Sequence, residues 1–453
     1  MRPPATDRGR ILLVMAVAAA VTAFTATVPL LRDWFDLRVY YGAVDTWIHH
    51  GGRLYDYRVP GTTYGFTYPP FAAVAMLPMA LVGLRTAIVL ALLLNLAALA
   101  LIAHLLTDGA WRRLGWFGCA LGACLLALFE PLRDTFSFGQ VNLLLLALVL
   151  IDARLLRTGH DRWAGAGIGL AAAVKLTPAV FIGLLLLAGR RRAAATAAVV
   201  ACAATALAAW VAPGASRFYW TRALWDTSRV GRLDYVSNQS LQGVLARLGV
   251  TDRAVWACVV LVVLAVWARR TRSALAADDW SGAFALTGLT ACLVSPITWV
   301  HHLVWVLPAL AVLVRAGHPR TAGALYAVMC TSVVWLWFDD ASGIDGFLGA
   351  NTYAWITLGL LLRLPVAQPS DERGTLPRST NATAPAPSAA APEMAPVSRH
   401  PGPPPGTATA ATAATGAACG PGLGRTRNPS NDPTGATRPA APNPQSSSSR
   451  ASS

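Results

Sequence analysis

Long apolar stretches separated by short polar turns recur along the chain from residue 11 to residue 364. A helix needs about 17 to 25 mostly apolar residues to cross a bilayer. By that criterion the pattern predicts about twelve membrane-spanning segments. They lie at residues 11–31, 85–107, 114–130, 139–153, 163–174, 177–189, 193–212, 252–268, 281–298, 300–315, 321–338 and 350–364. We therefore predict an all-α polytopic membrane protein whose helical bundle is formed by residues 11–364.

Lys and Arg are preferred in the cytoplasmic turns of membrane proteins. If residues 1–10 lie inside the cell, the turns in which arginine is concentrated all become cytoplasmic, in agreement with this preference. These turns are 112–113, 154–162, 190–192, 269–272 and 315–320. The net charge of +15 alone would suit a nucleic-acid partner. Its dispersal among turns rather than on one face indicates membrane topology instead. We therefore expect a multi-pass protein of the cell membrane and no nucleic-acid partner.

Two apolar stretches are interrupted. Residues 68–83 contain Pro69, Pro70 and Pro78, so we predict a partial helix that does not cross the bilayer. A second break is expected between Lys175 and Pro178, because proline ends a helix and restricts the residue before it. Beyond residue 364 the chain becomes rich in Pro, Ala, Ser, Thr and Gly, which predicts a disordered cytoplasmic tail over residues 365–453.

The first outer loop, residues 32–70, is polar and aromatic and follows the first predicted span. Within it, one helical face is predicted at Leu37, Tyr40, Tyr41, Val44, Trp47 and Ile48. A helix with this aromatic face directly after a span is expected to lie in the membrane interface. Asp36 begins this helix and has two interpretations. It can cap the helix through free backbone amides, and it can serve as a general base whose pKa is raised by burial. The two roles are compatible, because a capping carboxylate keeps free lone pairs.

Lys175 is the only lysine of the chain and is predicted to lie near the outer side of the bilayer. A lysine within a membrane is costly, so a functional role is favoured, and phosphate is the natural anionic partner. The alternative is that its side chain extends to the interface. His301 and His302 follow at an outer helix boundary. Adjacent residues point in different directions on a helix, so at most one of the two is expected to face a shared site. The alternative is that the pair belongs to the interfacial aromatic belt.

Four polar side chains near predicted helix starts are candidate sugar contacts, with helix capping as the alternative. They are Gln140, Asn142, Asn238 and Gln239. Together with the first outer loop, the outer segments 130–142, 213–250, 295–302 and 339–351 are expected to converge on one face of the bundle. The cysteines lack metal-ligand spacing, and there is no phosphate-binding glycine loop. We therefore predict neither a metal nor a cofactor, and a lipid-borne donor fits better than a soluble nucleotide sugar.

Seven ordered motifs carry a family resemblance. They are Asp36 with the following VYYGA, GRLYD at 52–56, TYPPF at 67–71, FGQVNLLL at 138–145, GLAAAVKLTPAVF at 169–181, NQSLQG at 238–243 and SPITWVHH at 295–302. Together they resemble the polyprenol-phosphate-mannose-dependent α-1,2-mannosyltransferases of actinobacteria, glycosyltransferase family 87 of the GT-C superfamily. The resemblance covers residues 11 to about 364.

The resemblance implies a GT-C fold and an inverting transfer of mannose to a mannan or lipid-linked glycan on the extracytoplasmic face. The donor would be polyprenyl-phosphate-mannose. It assigns Asp36 as the base, and Lys175 with His301 or His302 to the donor phosphate. Tyr68 of the TYPPF motif joins the four polar residues as an expected sugar or acceptor contact. Two alternatives remain open: the same scaffold transferring another sugar such as arabinose, or a lipid-linked sugar flippase. The absence of an inverted repeat argues against the flippase.

Overall fold

The structure, a computed structural model, describes residues 6–27 and 33–366. Throughout these ranges the regular structure is helical, without a β-strand. The first helices along the chain are α1 (Asp7–Thr27), α2 (Phe35–His49), α3 (Pro70–Ala75), α4 (Leu84–Leu106), α5 (Gly115–Leu128), α6 (Glu130–Phe138), α7 (Asn142–Arg157), α8 (Ala166–Val174) and α9 (Val180–Leu187). They are followed by α10 (Arg191–Val211), α11 (Pro213–Thr221), α12 (Leu241–Arg247), α13 (Arg253–Ala276), α14 (Trp280–Val294), α15 (Val306–Arg315), α16 (Pro319–Cys330), α17 (Gly343–Gly349) and α18 (Thr352–Arg363).

Helix length supports membrane crossing for part of the predicted set. In the described ranges, four helices are long and apolar enough to cross a membrane, namely α1, α4, α10 and α13. A fifth crossing results if residues 110–138, bent by 78° between α5 and α6, count as one span. Helix α14, with 15 residues, is only about 22 Å long, less than the roughly 30 Å of a hydrocarbon core. The chain is thus a multi-pass membrane protein, while the total of twelve crossings stays a prediction.

Helix α14 forms the centre of the core. It is buried along its whole length and packs against α9, α13, α15 and α18. A helix that is apolar on all sides is stable only when other helices surround it. Its C-terminal end leads directly into the segment that carries His301 and His302.

Both predicted interruptions are present. Residues 70–81 form only α3 and a short 3-10 helix at Leu77–Leu81. At the second break α8 ends at Val174, and Lys175 takes an extended conformation with φ −148° and ψ 129°. A 3-10 helix at Thr177–Ala179 then leads into α9. The break therefore separates Lys175 from both helices.

Helix α2 confirms the predicted helix, but its buried face differs from the predicted one. Leu37, Tyr40 and Val44 are buried as expected, whereas Ile48 is 45% exposed. Val39 and Ala43 are buried instead, in a cluster that also contains Tyr68, and α2 packs against the 3-10 helix Leu77–Leu81, α4 and α6. A position in the membrane interface stays a prediction. The predicted tail, apart from residues 365 and 366, lies outside the described residues.

Candidate active site

A cavity of about 490 Å³ opens where the outer segments meet. Its lining comes from α2, the loop after it, the α6–α7 turn, the break after α8, residues 219–237 and residues 295–302. The volume is in the range of small-molecule and cofactor sites. The predicted convergence holds for these segments. The segment 339–351 does not line the cavity, although Trp335, which precedes it in the chain, does.

Asp36 lies in the first turn of α2, and its side chain points into the cavity. The residue that caps α2 is Trp34, and no side chain caps the helix. The capping interpretation of Asp36 is therefore wrong. Its carboxylate accepts a hydrogen bond of 2.6 Å from Nε2 of Gln140, which holds one oxygen in place and leaves the other available.

The turn between α6 and α7 brings Gln140 to Asp36. Gly139 adopts a left-handed conformation, with φ +70°, and an added Cβ would approach Cβ of Leu37 to 2.7 Å. Glycine alone accepts this conformation without a steric cost and allows the turn to approach α2 this closely. The FGQVN sequence thus sets the geometry of the site.

A buried hydrogen-bond network continues from Gln140 to Lys175. The hydroxyl of Tyr68 donates to Oε1 of Gln140 at 2.8 Å and accepts from the hydroxyl of Tyr40 at 3.0 Å. Nζ of Lys175 donates to Oδ1 of Asn142 at 3.0 Å and to the Tyr68 hydroxyl at 3.4 Å. The candidate base and the single lysine are therefore joined through two side chains.

His302 forms the other side of the Lys175 environment. Its Nε2 lies 2.7 Å from Nζ of Lys175, and its Nδ1 accepts from the backbone N–H of Trp299 at 3.1 Å. Because a backbone amide can only donate, Nδ1 accepts in this contact. Nε2 and Nζ of Lys175 lie within hydrogen-bond distance, and because two donors cannot bond each other, one of these two nitrogens accepts.

The expectation that at most one of the two histidines faces the site is wrong, since both line the cavity. They belong to a 3-10 helix, Val300–Trp305, and their rings pack edge to face with centroids 4.6 Å apart. His301 also fixes the site through its backbone, because its carbonyl oxygen accepts from Nδ2 of Asn142 at 3.2 Å.

Asn238 and Gln239 lie outside the cavity lining, and both are fully buried. Oδ1 of Asn238 accepts from the backbone amides of Ser240 and Thr298. Nε2 of Gln239 donates to the carbonyl oxygens of Val236 and Ala350. These contacts connect the α12 segment to neighbouring loops, and the proposal below assigns no sugar contact to either residue.

Sequence reasoning overlooked several cavity residues. Tyr40 was assigned only to an apolar helix face, although its hydroxyl belongs to the network. Trp335 and Tyr235 form an aromatic wall with ring centroids 6.0 Å apart. Nε1 of Trp335 donates to the buried carboxylate of Glu130 at 2.6 Å. The available signal was the density of aromatic residues in outer segments, which an interfacial belt would also produce.

Burial raises the pKa of Asp36 to about 6, although the hydrogen bond from Gln140 and the charge of Lys175 act in the opposite direction. A carboxylate with this pKa is charged at neutral pH and is a stronger base than an exposed one. The cavity therefore combines a base, placed to take a proton from a hydroxyl, with N–H donors that suit an anion. This combination fits group transfer to an alcohol with an anionic leaving group.

Comparison with known proteins agrees with this chemistry. The family model described as glycosyltransferase family 87 matches residues 66–296, half of the chain. No solved structure was found that matches the chain significantly.

Three curated relatives cover about two thirds of the chain each. The polyprenol-phosphate-mannose-dependent alpha-(1-2)-phosphatidylinositol mannoside mannosyltransferase of Mycolicibacterium smegmatis is 36% identical over 332 residues, covering 67% of this chain and 72% of the relative. Its namesake from Mycobacterium tuberculosis is 34% identical with the same coverage. A phosphatidylinositol pentamannoside mannosyltransferase of Mycolicibacterium smegmatis is 34% identical and covers 69% of this chain and 77% of the relative. This chain, whose cavity is lined by Asp36 and Lys175, therefore belongs to glycosyltransferase family 87.

Proposed function

We propose that this protein transfers mannose from a polyprenyl-phosphate donor to a hydroxyl group of a mannosylated lipid, with inversion and in α-1,2 linkage. The relatives at 34 to 36% identity are named for the same donor and for phosphatidylinositol mannoside acceptors. Family membership favours a transferase over a flippase. The observation that carries the proposal is the placement of Asp36 and Lys175 in one cavity, linked through Gln140 and Tyr68.

Asp36 supplies the base of the reaction. The free carboxylate oxygen takes the proton from the acceptor hydroxyl while the oxygen of that hydroxyl forms a bond to the anomeric carbon of mannose. The bond between that carbon and the phosphate oxygen breaks, and the polyprenyl phosphate leaves with its electron pair. Because phosphate is a good leaving group, no second carboxylate is needed, in contrast to glycosidases.

Lys175 and His302 bind the phosphate in this proposal. Nζ of Lys175 and Nε2 of His302 lie 2.7 Å apart and belong to residues that line the cavity, and Asn142 and Tyr68 hold Nζ of Lys175 in position. Charge that develops on the departing phosphate is stabilised most effectively by donors already placed in a water-poor site. Tyr68 and Gln140 also line the cavity and remain the proposed sugar contacts.

The extracytoplasmic location of the site is supported by the distribution of charge along α7. Its first residue, Asn142, contacts Lys175, whereas Arg154 and Arg157 at its other end pair with Asp108. A helix of 16 residues separates these ends by about 24 Å. Since arginine-rich turns favour the cytoplasm, the cavity belongs to the opposite side.

Transfer from polyprenyl-phosphate-mannose in membranes that contain the protein tests this function. The parent chain should label a phosphatidylinositol mannoside acceptor, and Asp36→Asn should lower turnover by roughly 10² to 10⁴, the usual effect of losing a general base. Asparagine can still accept the hydrogen bond from Gln140, so folding should be preserved. Asp45→Asn is the matched control, because Asp45 lies on the same helix and pairs with His50 at 3.3 Å. Equal activity of Asp36→Asn and the parent chain would exclude Asp36 as the base.

A further inference from the structure

Arg229 is a second cation of the cavity. It ends a short 3-10 helix, Thr227–Arg229, in the loop between α11 and α12, and it lines the same cavity as Lys175. We propose that Arg229 binds the phosphodiester of the lipid acceptor and thereby selects phosphate-bearing acceptors. This inference rests on the proposed function.

The hydrogen bonds of Arg229 leave donors available for a ligand. Nη2 donates to the backbone carbonyl oxygen of Tyr55 at 2.7 Å, and the guanidinium carbon lies 5.2 Å from the ring centroid of Phe218. Nε is buried without a hydrogen-bond partner in the described part of the chain. An unpaired buried donor is unfavourable, and an acceptor oxygen from a ligand would satisfy it.

Local charge also favours an anion at this position. Nη1 of Arg58 donates to the same Tyr55 carbonyl oxygen at 2.9 Å, so two guanidinium groups converge on one backbone oxygen. Burial and the nearby Arg58 lower the pKa of Arg229, and the carboxylates Asp226 and Asp56 oppose this shift.

Neither carboxylate neutralises the guanidinium directly. None of the ion pairs formed within 4.0 Å in the described ranges includes Arg229. Oδ1 of Asp226 instead accepts from the amide and the hydroxyl of Ser228. The guanidinium group of Arg229 is therefore left to pair with an anion in the cavity that it lines.

The chemistry of the substrates identifies that anion. Lys175 and His302 account for the donor phosphate, which must lie next to the transferred sugar. A mannosylated phospholipid acceptor brings a second phosphate, separated from its reacting hydroxyl by sugar rings. Arginine binds phosphate through paired N–H groups in a planar arrangement, so it is suited to this contact.

Kinetics with two acceptors test the role of Arg229. One acceptor is a phosphatidylinositol mannoside, and the other is an octyl α-mannoside, which has a lipid tail and no phosphate. Arg229→Gln should raise KM for the phosphatidylinositol mannoside by about 10- to 100-fold, the range expected for a charged hydrogen bond. KM for octyl α-mannoside and for polyprenyl-phosphate-mannose should stay within twofold of the parent. Arg229→Lys should restore part of the loss.

Arg232→Gln is the matched control, because it removes an equal charge from the same loop and Arg232 pairs with Asp234 outside the cavity. It should leave all three KM values unchanged. Addition of inorganic phosphate should not inhibit the parent at concentrations near KM of the lipid, which distinguishes a lipid phosphodiester from free phosphate.

The outcomes separate the inference from the proposed function. An equal loss with both acceptors in Arg229→Gln would assign Arg229 a structural role, and an unchanged KM for the phospholipid would exclude the contact. Binding of phosphatidylinositol mannoside to the purified protein, followed by tryptophan fluorescence, gives a readout without turnover. If the parent transfers mannose to neither acceptor, the proposed function fails, whereas weaker binding in Arg229→Gln alone would still support the subsite.

Discussion

The pKa of Asp36 depends on a balance between burial, which raises it, and hydrogen bonding, which lowers it. Burial alone would hold a carboxyl in its neutral form, and a neutral carboxyl cannot act as a base. Gln140 donates to one oxygen and Lys175 adds a positive charge, so the pKa of Asp36 is limited to about 6. The side chain is therefore charged near neutral pH, while it is more basic than a solvent-exposed aspartate.

The pH dependence of transfer follows from this pKa. Because the base must be deprotonated, kcat/KM should fall tenfold per pH unit below pH 6 and level off between pH 6 and pH 7. Above pH 7 it should decline again, because burial lowers the pKa of Lys175 to about 7 and the neutral amine no longer attracts the donor phosphate. The measurement is the initial rate of mannose transfer between pH 5 and pH 8 at low acceptor concentration. The residual activity of Asp36→Asn should show no change in slope near pH 6. A parent profile that stays flat down to pH 5 would contradict the assignment.

The chemically important residues of the site could be chosen from the sequence, but their partners could not. Asp36 and Lys175 stand out because charged residues are rare beside apolar runs. The contact between Gln140 and Asp36 joins residues 104 positions apart and depends on the Gly139 turn. Asn238 was selected as a sugar contact because amides bind hydroxyls, yet the structure uses its side chain to hold backbone amides of neighbouring loops.

At the level of helices, the site depends on short elements that are stable only through close packing. Helix α8 has nine residues and ends immediately before Lys175. A Cβ added at Gly167 would lie 2.4 Å from the carbonyl oxygen of Leu148, and one at Gly169 would lie 2.4 Å from that of Ala197. These glycines allow α8 to approach α7 and α10 backbone to backbone, the kind of contact that membrane helices form through small residues.

Gly169→Ala should therefore destabilise the protein and displace Lys175. The added methyl group cannot fit within 2.4 Å of a backbone oxygen, so the helices must shift, at a cost of about 1 to 3 kcal/mol. The expected results are a lower melting temperature in detergent and a lower kcat. Gly122→Ala is the control, because Gly122 lies in α5 with nothing within 4 Å of its added Cβ. Alanine is the better helix former, so this variant should melt at the same temperature or higher. Equal melting of both variants would show that α8 tolerates the wider spacing.

The positions of helices could be predicted from apolar runs, and their breaks from proline. The interruptions in residues 68–83 and after Lys175 agree with the structure, because proline acts locally. The buried face of α2 was predicted with errors because it depends on what packs against it. Val39 and Ala43 belong to the same buried cluster as Tyr68, and helical periodicity carries no information about such a partner.

Within residues 33–366, the cavity and two arginine ion pairs lie at opposite ends of α7. Lys175 lines the cavity and bonds Asn142 at the start of α7, and the ion pairs Arg154–Asp108 and Arg190–Asp161, each of 2.9 Å, lie at the turns beyond α7 and α9. A donor whose lipid tail remains in the bilayer can reach a cavity at one membrane face only. The orientation of the bundle therefore determines on which side of the membrane the glycan is extended.

A reporter joined to residue 366 tests that orientation together with the number of crossings. Twelve crossings with a cytoplasmic N-terminus place residue 366 in the cytoplasm, whereas an odd number places it outside. Green fluorescent protein in place of residues 367–453 should therefore fluoresce, and alkaline phosphatase at the same position should be inactive. Mannose transfer by the fluorescent fusion should match that of the full chain, because residues 367–453 are predicted from their composition to form no packed core and to lie across the membrane from the cavity. An active phosphatase would exclude the even count and place the cavity and residue 366 on the same side of the membrane.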